Sequence, residues 1–182
     1  ENTPQAVKQL ADRLAAKGPV QFVYEAGPCG YEVQRQLASM KLPCAVIAPS
    51  LTPQKPGDRV KTDRRDAEKL ARFYRAGELT VIHVPTREEE AARDLVRCRA
   101  DALEDRLRAR HRLSKFLLRQ GRIFQGARAW GTLHSQWLAG QKFEWESLRG
   151  SFEGFTRAVN ESGDRLKDLE RQIEELSQKE PH

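Results

Sequence analysis

Apolar residues along this chain keep a helical period, give way twice to short solid runs, and then settle into a seven-residue repeat. After Thr3-Pro4, a cap and first helical position, Val7, Leu10, Leu14 and Ala15 share one face of a helix that ends by Gly18. Val20 to Ala26 then reads as a strand whose β-branched and aromatic residues suit burial on both faces. Gly27-Pro28-Cys29-Gly30 is a turn, Tyr31 to Met40 a short helix, and Cys44 to Ala48 a second buried strand. The strand–helix–strand order predicts a parallel pair with a right-handed crossover. A loop rich in proline, Pro49 to Gly57, leads to a helix from about Thr62 to Ala76 that stops at Gly77. Leu79 to Val84 is expected to be a short edge strand ending at Pro85.

From Thr86 the pattern is helical only. Thr86-Arg87-Glu88-Glu89 is a capping box, and no breaker follows until Gly121. A helix of that length extends ~50 Å, beyond a domain this small. Further on, Phe152, Val159, Leu166 and Ile173 recur every seven residues, interleaved with Phe155, Ser162, Leu169 and Leu176. That a/d spacing predicts a coiled coil. Leu95, Leu103, Leu107, Leu113 and Leu117 form a looser stripe on the earlier helix, so the two can pair as an antiparallel hairpin or across a dimer. Arg99, Arg106 and Arg110 interrupt most heptad registers of that stripe, and the seam is therefore expected to be completed partly by a second copy. The expected domains are 1–86, with the βαβ core, and 87–182, helical, with a tryptophan-rich connection at 121–150.

Charge adds more than composition does. The chain is 32% charged against 38% hydrophobic, so its core is modest and much of it is solvated helix. No apolar run approaches the ~20 residues that span a bilayer, and no signal peptide is visible. Cys29, Cys44 and Cys98 are odd in number and lack metal-ligand spacing, which suits reduced thiols in a cytoplasm. His83, His111, His134 and His182 have no zinc-site spacing, no serine sits in a nucleophile elbow, and no phosphate-binding glycine loop is present.

The net charge of +6 is unevenly spread. Between Arg106 and Phe143 there is no acid, while Arg108, Arg110, Arg112, Lys115, Arg119, Arg122, Arg128 and Lys142 all fall there. Such a single-sign stretch fits nucleic-acid contact, or a basic helix beside an acidic neighbour. Trp130, Trp137 and Trp145 cluster there with Phe124, His134 and Phe143, either to stack on unpaired bases or to form a small core beneath a loop.

The candidate chemistry lies earlier. Asp63 and Asp66 project from one face of the first turn of their helix, and Glu25 ends the first strand. Such carboxylates suit a hard cation such as Mg²⁺. The same Asp63–Asp66 spacing also reads as a capping box. Lys55, Arg59 and Lys61 lead into this helix and Arg64 follows; they form a solvated connection or a basic flap beside a phosphate site.

Tyr24-Glu25-Ala26-Gly27-Pro28-Cys29-Gly30-Tyr31, with Lys61-Thr62-Asp63-Arg64-Arg65-Asp66-Ala67, resembles the insertion-sequence 110 family of DEDD transposases, which are RNA-guided DNA recombinases. The resemblance implies a RuvC-like, ribonuclease-H-like α/β domain followed by a coiled coil. It also implies that Glu25, Asp63 and Asp66 match the Glu and the last two Asp of the family's acidic set, holding Mg²⁺ or Mn²⁺ for strand cleavage and exchange. DNA, a guide (bridge) RNA and further copies of the chain become the expected partners, in a bacterial or archaeal cytoplasm. The family's first Asp lies on a strand upstream of anything here, and its nucleophilic Ser follows the coil. The RuvC-like core is thus expected to be incomplete at its N-terminus, and the piece alone inactive. The competing expectation is a non-catalytic module that binds nucleic acid through its basic helix and dimerises through its coil. A purely structural coiled coil explains neither the βαβ half nor the one-sided charge.

Overall fold

The computed structural model describes residues 3–53 and 62–179. The chain divides into two compact units, Glu1–Pro85 and Thr86–His182. The fold is α/β in the first and all helical in the second.

The first unit opens with α1 (Pro4–Ala15), where Thr3 Oγ1 accepts a hydrogen bond from the Ala6 amide at 3.2 Å. Strand β1 (Phe22–Glu25) pairs in parallel with β2 (Cys44–Ile47), in the register Phe22 with Cys44 through Glu25 with Ile47. Helix α2 (Glu32–Ser39) connects them and packs on β2 and α1. Ala11, Leu37, Ala45, Val46 and Ile47 are the buried core, so β2 is the central strand. β1 is only half-buried, because among the described residues it has a neighbour on one side alone. The expected strand over Leu79–Val84 is reduced to an antiparallel bridge between Val81 and Ile47, flanked by two backbone hydrogen bonds. Val81 is exposed there, and little apolar burial holds a longer pairing. α3 (Asp63–Ala76) packs against β1 and ends at Gly77, whose φ of 74° is the left-handed conformation that closes a helix.

In the second unit α4 (Arg87–Arg119) starts at the expected capping box: Thr86 Oγ1 accepts from the Glu89 amide at 3.1 Å, and the Thr86 amide donates to Glu89 Oε2 at 2.7 Å. Short α5 (Thr132–Ala139) lies in the connection, and α6 (Glu146–Lys179) returns. Arg99 pairs with Glu170 at 2.6 Å and Asp105 with Arg165 at 3.4 Å, while Phe116 meets Phe152 and Phe155. Rising numbers on α4 meet falling numbers on α6, so the helices form an antiparallel hairpin.

Within the chain, α4 already fills much of the heptad seam that was expected to be completed partly by a second copy. Leu166 and Leu169 bury against Ala102 with Leu95 and Cys98, and Phe152, Phe155 and Val159 pack on Leu113, Phe116, Leu117 and Phe143. Ile173 and Leu176 are half-buried at the open end. The interrupting arginines leave the seam sideways: Arg99 turns to Glu170, and Arg110 covers the Trp130 ring at 4.9 Å. Small Ala102 and Ala109, both buried, let the helices approach where leucines are absent.

Candidate metal site and nucleic-acid surface

Glu25 closes β1, and its side chain is exposed beyond the carboxyl end of that strand. Opposite it, β2 runs into a tight turn, Pro49–Leu51, which brings Thr52 back over the strand ends. Thr52 Oγ1 stands 3.2 Å from Glu25 Oε1 and 3.4 Å from the Ala48 carbonyl oxygen, so its hydroxyl can donate to the carboxylate and fix its direction. Sequence reasoning missed Thr52. The available signal was a threonine just past the strand paired with β1, five residues beyond Ile47, the register partner of Glu25.

Asp63 and Asp66 both lie in the first turn of α3. The N-cap is Thr62, whose hydroxyl accepts from the Arg65 amide at 3.4 Å, and so the capping-box reading of Asp63 is replaced. Neither aspartate takes a hydrogen bond or ion pair from a described residue, and both are exposed. Three carboxylates are the right donors for a hard divalent cation. Even so, among the described residues no three His, Cys, Asp or Glu side chains stand together as a metal-binding group, and the expected convergence of Glu25, Asp63 and Asp66 is not formed. Burial pushes the Cys44 thiol up to about 11, which keeps it protonated. Tyr24, pushed up to about 12 chiefly by burial, donates its hydroxyl to the Gly30 carbonyl at 3.1 Å and shapes the turn after Glu25.

The basic positions separate into committed and uncommitted groups. Arg64 pairs with Glu68 at 3.3 Å. Arg108 pairs along its own helix with Glu104 at 3.1 Å and Asp105 at 2.6 Å. Arg122 faces inward, bonding Gln141 at 2.9 Å and the Lys142 carbonyl, and lying 4.0 Å over the Phe143 ring. It holds the connection together rather than facing a partner. Arg112, Lys115, Arg119 and Arg128 are exposed and make no ion pair with a described residue. Lys55, Arg59 and Lys61 lie outside the described residues.

The profile of the DEDD transposases of insertion sequence 110, described as a transposase family, matches residues 1–120, which takes in all three acids and the whole of α4. The chain belongs to this family. It is similar to "Transposase for insertion sequence element IS1533" of Leptospira borgpetersenii, 36% identical over 179 residues, covering 97% of this chain and 52% of that protein. It is also similar to "Putative transposase y4qE" of Sinorhizobium fredii, 48% identical over 140 residues, covering 77% of this chain and 35% of that protein. The chain thus spans about half the length of one relative and about a third of the other. Among the described residues no helix of this family member is long and apolar enough to cross a membrane.

In this DEDD family chain the tryptophans divide by role. Trp130 and Trp137 are half-buried around His134 with Phe124, the rings 4.8 to 5.5 Å apart, and Trp145 is exposed. Gly126 lies so close to the Phe124 ring that any Cβ would collide with it. Trp130 adopts a φ of 65°, uncommon for a bulky residue, held between Arg110 and His134. His134 is buried, and its Nδ1 has no hydrogen-bond partner among the described residues. Burial first, and Arg110 second, hold its imidazolium below the ordinary histidine range. The unfolded chain takes up that proton near pH ~6.5, and the folded chain only at lower pH. Stability from this group is therefore full above about pH 6.5 and is lost as pH falls toward the folded-state value. Thermal melts should show a midpoint that drops on acidification through this window. In His134→Gln that part of the pH dependence should vanish, and an unchanged pH profile would contradict it.

Proposed function

We propose that these residues supply the acidic part of a DNA strand-cleaving site and a nucleic-acid-binding helical arm in a transposase that recombines DNA. The observation that carries the reading is the state of the acids. Glu25, Asp63 and Asp66 lie within the stretch that matches the family and in the motifs that resemble its acidic set, and all three are exposed. The capping role that would otherwise explain Asp63 belongs to Thr62. Glu25, oriented by Thr52, together with Asp63 and Asp66 would hold Mg²⁺ or Mn²⁺, with a fourth carboxylate that no acid here matches. When bound, such an ion polarises a phosphate oxygen and offsets developing negative charge. RuvC-like topology for the complete domain belongs to the same proposal, supported by the parallel β1–β2 pair with Glu25 at its carboxyl edge.

Arg112, Lys115, Arg119 and Arg128 are the residues proposed to meet DNA or a guide RNA. Their positive charge is uncommitted and attracts phosphate. Arg112→Gln, Lys115→Gln and Arg119→Gln together should weaken binding at low salt and flatten its salt dependence. Each lost duplex phosphate contact is worth about 0.9 in the slope of log K against log salt. Affinity unmoved in the triple variant would remove this surface from the interface.

A second reading has its own support: acids in the first turn of α3 favour the positive end of the helix dipole whatever else they do. In that case the units bind and assemble without catalysis. Cleavage of a DNA substrate by the complete transposase, titrated with Mg²⁺, Mn²⁺ and a chelator, separates the two. Activity that requires the ion and returns with Mn²⁺ supports the first. Cleavage indifferent to a chelator supports the second.

A further inference from the structure

The hairpin leaves a hollow beside its seam. A cavity of about 370 Å³ opens between α4 and α6, lined by Ala109, Arg112, Ser151, Gly154, Phe155 and Ala158. Small side chains make the room: Ser151, Gly154 and Ala158 lie on one stripe of α6, three and four residues apart. A Cβ built on Gly154 meets nothing within 4 Å, so this position contributes open space. Phe155 gives the aromatic wall, half-buried and backed by Phe116 at 5.4 Å between ring centroids. The volume lies at the small end of ligand sites, which run to about 300–1,000 Å³.

Charge says what can enter. Arg112 is the one charged residue in this lining; it is exposed and makes no ion pair with a described residue. Asp105, two turns back on α4, is taken by Arg108 at 2.6 Å and Arg165 at 3.4 Å. An uncommitted guanidinium at the edge of an apolar, aromatic-walled hollow complements a nucleotide: the phosphate meets the cation and the base lies on the ring. Bases paired and stacked inside a duplex cannot reach Phe155, so the base that enters is unpaired. Ser151 donates its hydroxyl to the Ser147 carbonyl at 2.8 Å, which leaves its oxygen free to accept from a base N–H.

We propose that this cavity receives one unpaired base of a bound nucleic-acid strand, stacked on Phe155, while Arg112 holds the adjoining phosphate. The inference rests on the reading of Arg112 as a nucleic-acid contact and sharpens it. The strand at this point is unpaired, and the hollow beside Gly154 selects it in addition to charge.

Gly154→Leu tests it on the chain as given. The new side chain fills the cavity from an exposed helical position, where leucine favours the helix over glycine. Fluorescence anisotropy compares fully paired duplexes with duplexes carrying one bulged nucleotide, in RNA and in DNA, at several salt concentrations. Wild type should bind the bulged form about tenfold more tightly in RNA or in DNA, and the one preferred names the source of the base. Gly154→Leu should erase that preference, with affinity for the paired duplex unchanged and a melting midpoint no lower than wild type. A wild type without the preference, or a preference that survives Gly154→Leu, overturns the cavity proposal and leaves the charge reading standing. If Arg112→Gln with Lys115→Gln and Arg119→Gln moves no affinity at all, the charge reading falls and this inference falls with it.

Discussion

Leu166→Asp should melt the helical unit. Leu166 is 1% exposed and sits against fully buried Ala102, midway along the hairpin. Removing a buried leucine side chain costs about 2–5 kcal/mol, and an unpaired carboxylate in its place adds a desolvation penalty. A domain typically has about 5–15 kcal/mol in total, so the loss is a large share of what holds α4 and α6 together. Urea unfolding followed by circular dichroism should show a midpoint far below wild type, or no cooperative transition. Ile173→Asp, at the half-buried open end of the same heptad series, should cost much less. Equal effects at the two positions, or a loss under about 1 kcal/mol at Leu166, would mean that the seam closes elsewhere.

The second large effect concerns chemistry. In the complete transposase, Asp63→Asn and Asp66→Asn should each lower metal-dependent strand cleavage by about a hundredfold or more. An ion stabilising a phosphoryl transition state contributes several kcal/mol, and each 1.4 kcal/mol is tenfold. Thr62→Ala, one residue away, should cost only about 1 kcal/mol of helix stability with activity near wild type, because Thr62 is the cap. Thr52→Val should fall between, a loss of about tenfold or less, as one orienting hydrogen bond to Glu25 is removed. If Asp63→Asn and Thr62→Ala behaved alike, the acids would be helix-terminus residues only.

The helices were the most legible part of the chain, for stated reasons. Thr86 with Glu89 is a local device whose partners are three residues apart, so sequence alone contains it. The left-handed Gly77 is equally local. Legibility fell where the outcome depends on distant residues. Leu79–Val84 has strand-like composition, yet only Val81 bridges, because its length is decided by what covers it. Thr62 and Asp63 are both good caps, and the β-region backbone of Thr62, with ψ of 143°, is what selects it. Arg122 reads as one more cation in a basic run, but its guanidinium lies over Phe143, a partner twenty-one residues on. The stripe on α4 read from its leucines mixed two faces: Leu113 and Leu117 are buried and Leu103 and Leu107 are exposed, while buried Ala102 and Ala109 were overlooked as small.

At the acids, the motif's resemblance names the residues proposed to matter, and it does not fix their separation. Glu25 belongs to a strand end and the aspartates to a helix start, so their convergence is a tertiary property. The most direct measurement is an anomalous difference map from crystals of the complete transposase grown with Mn²⁺ and DNA. One peak within about 2.0–2.3 Å of carboxylate oxygens of Glu25, Asp63 and Asp66, next to a DNA phosphate, is the result expected if they hold the catalytic ion. A peak held by other residues, with Glu25 facing away from Asp63 and Asp66, would contradict the assignment.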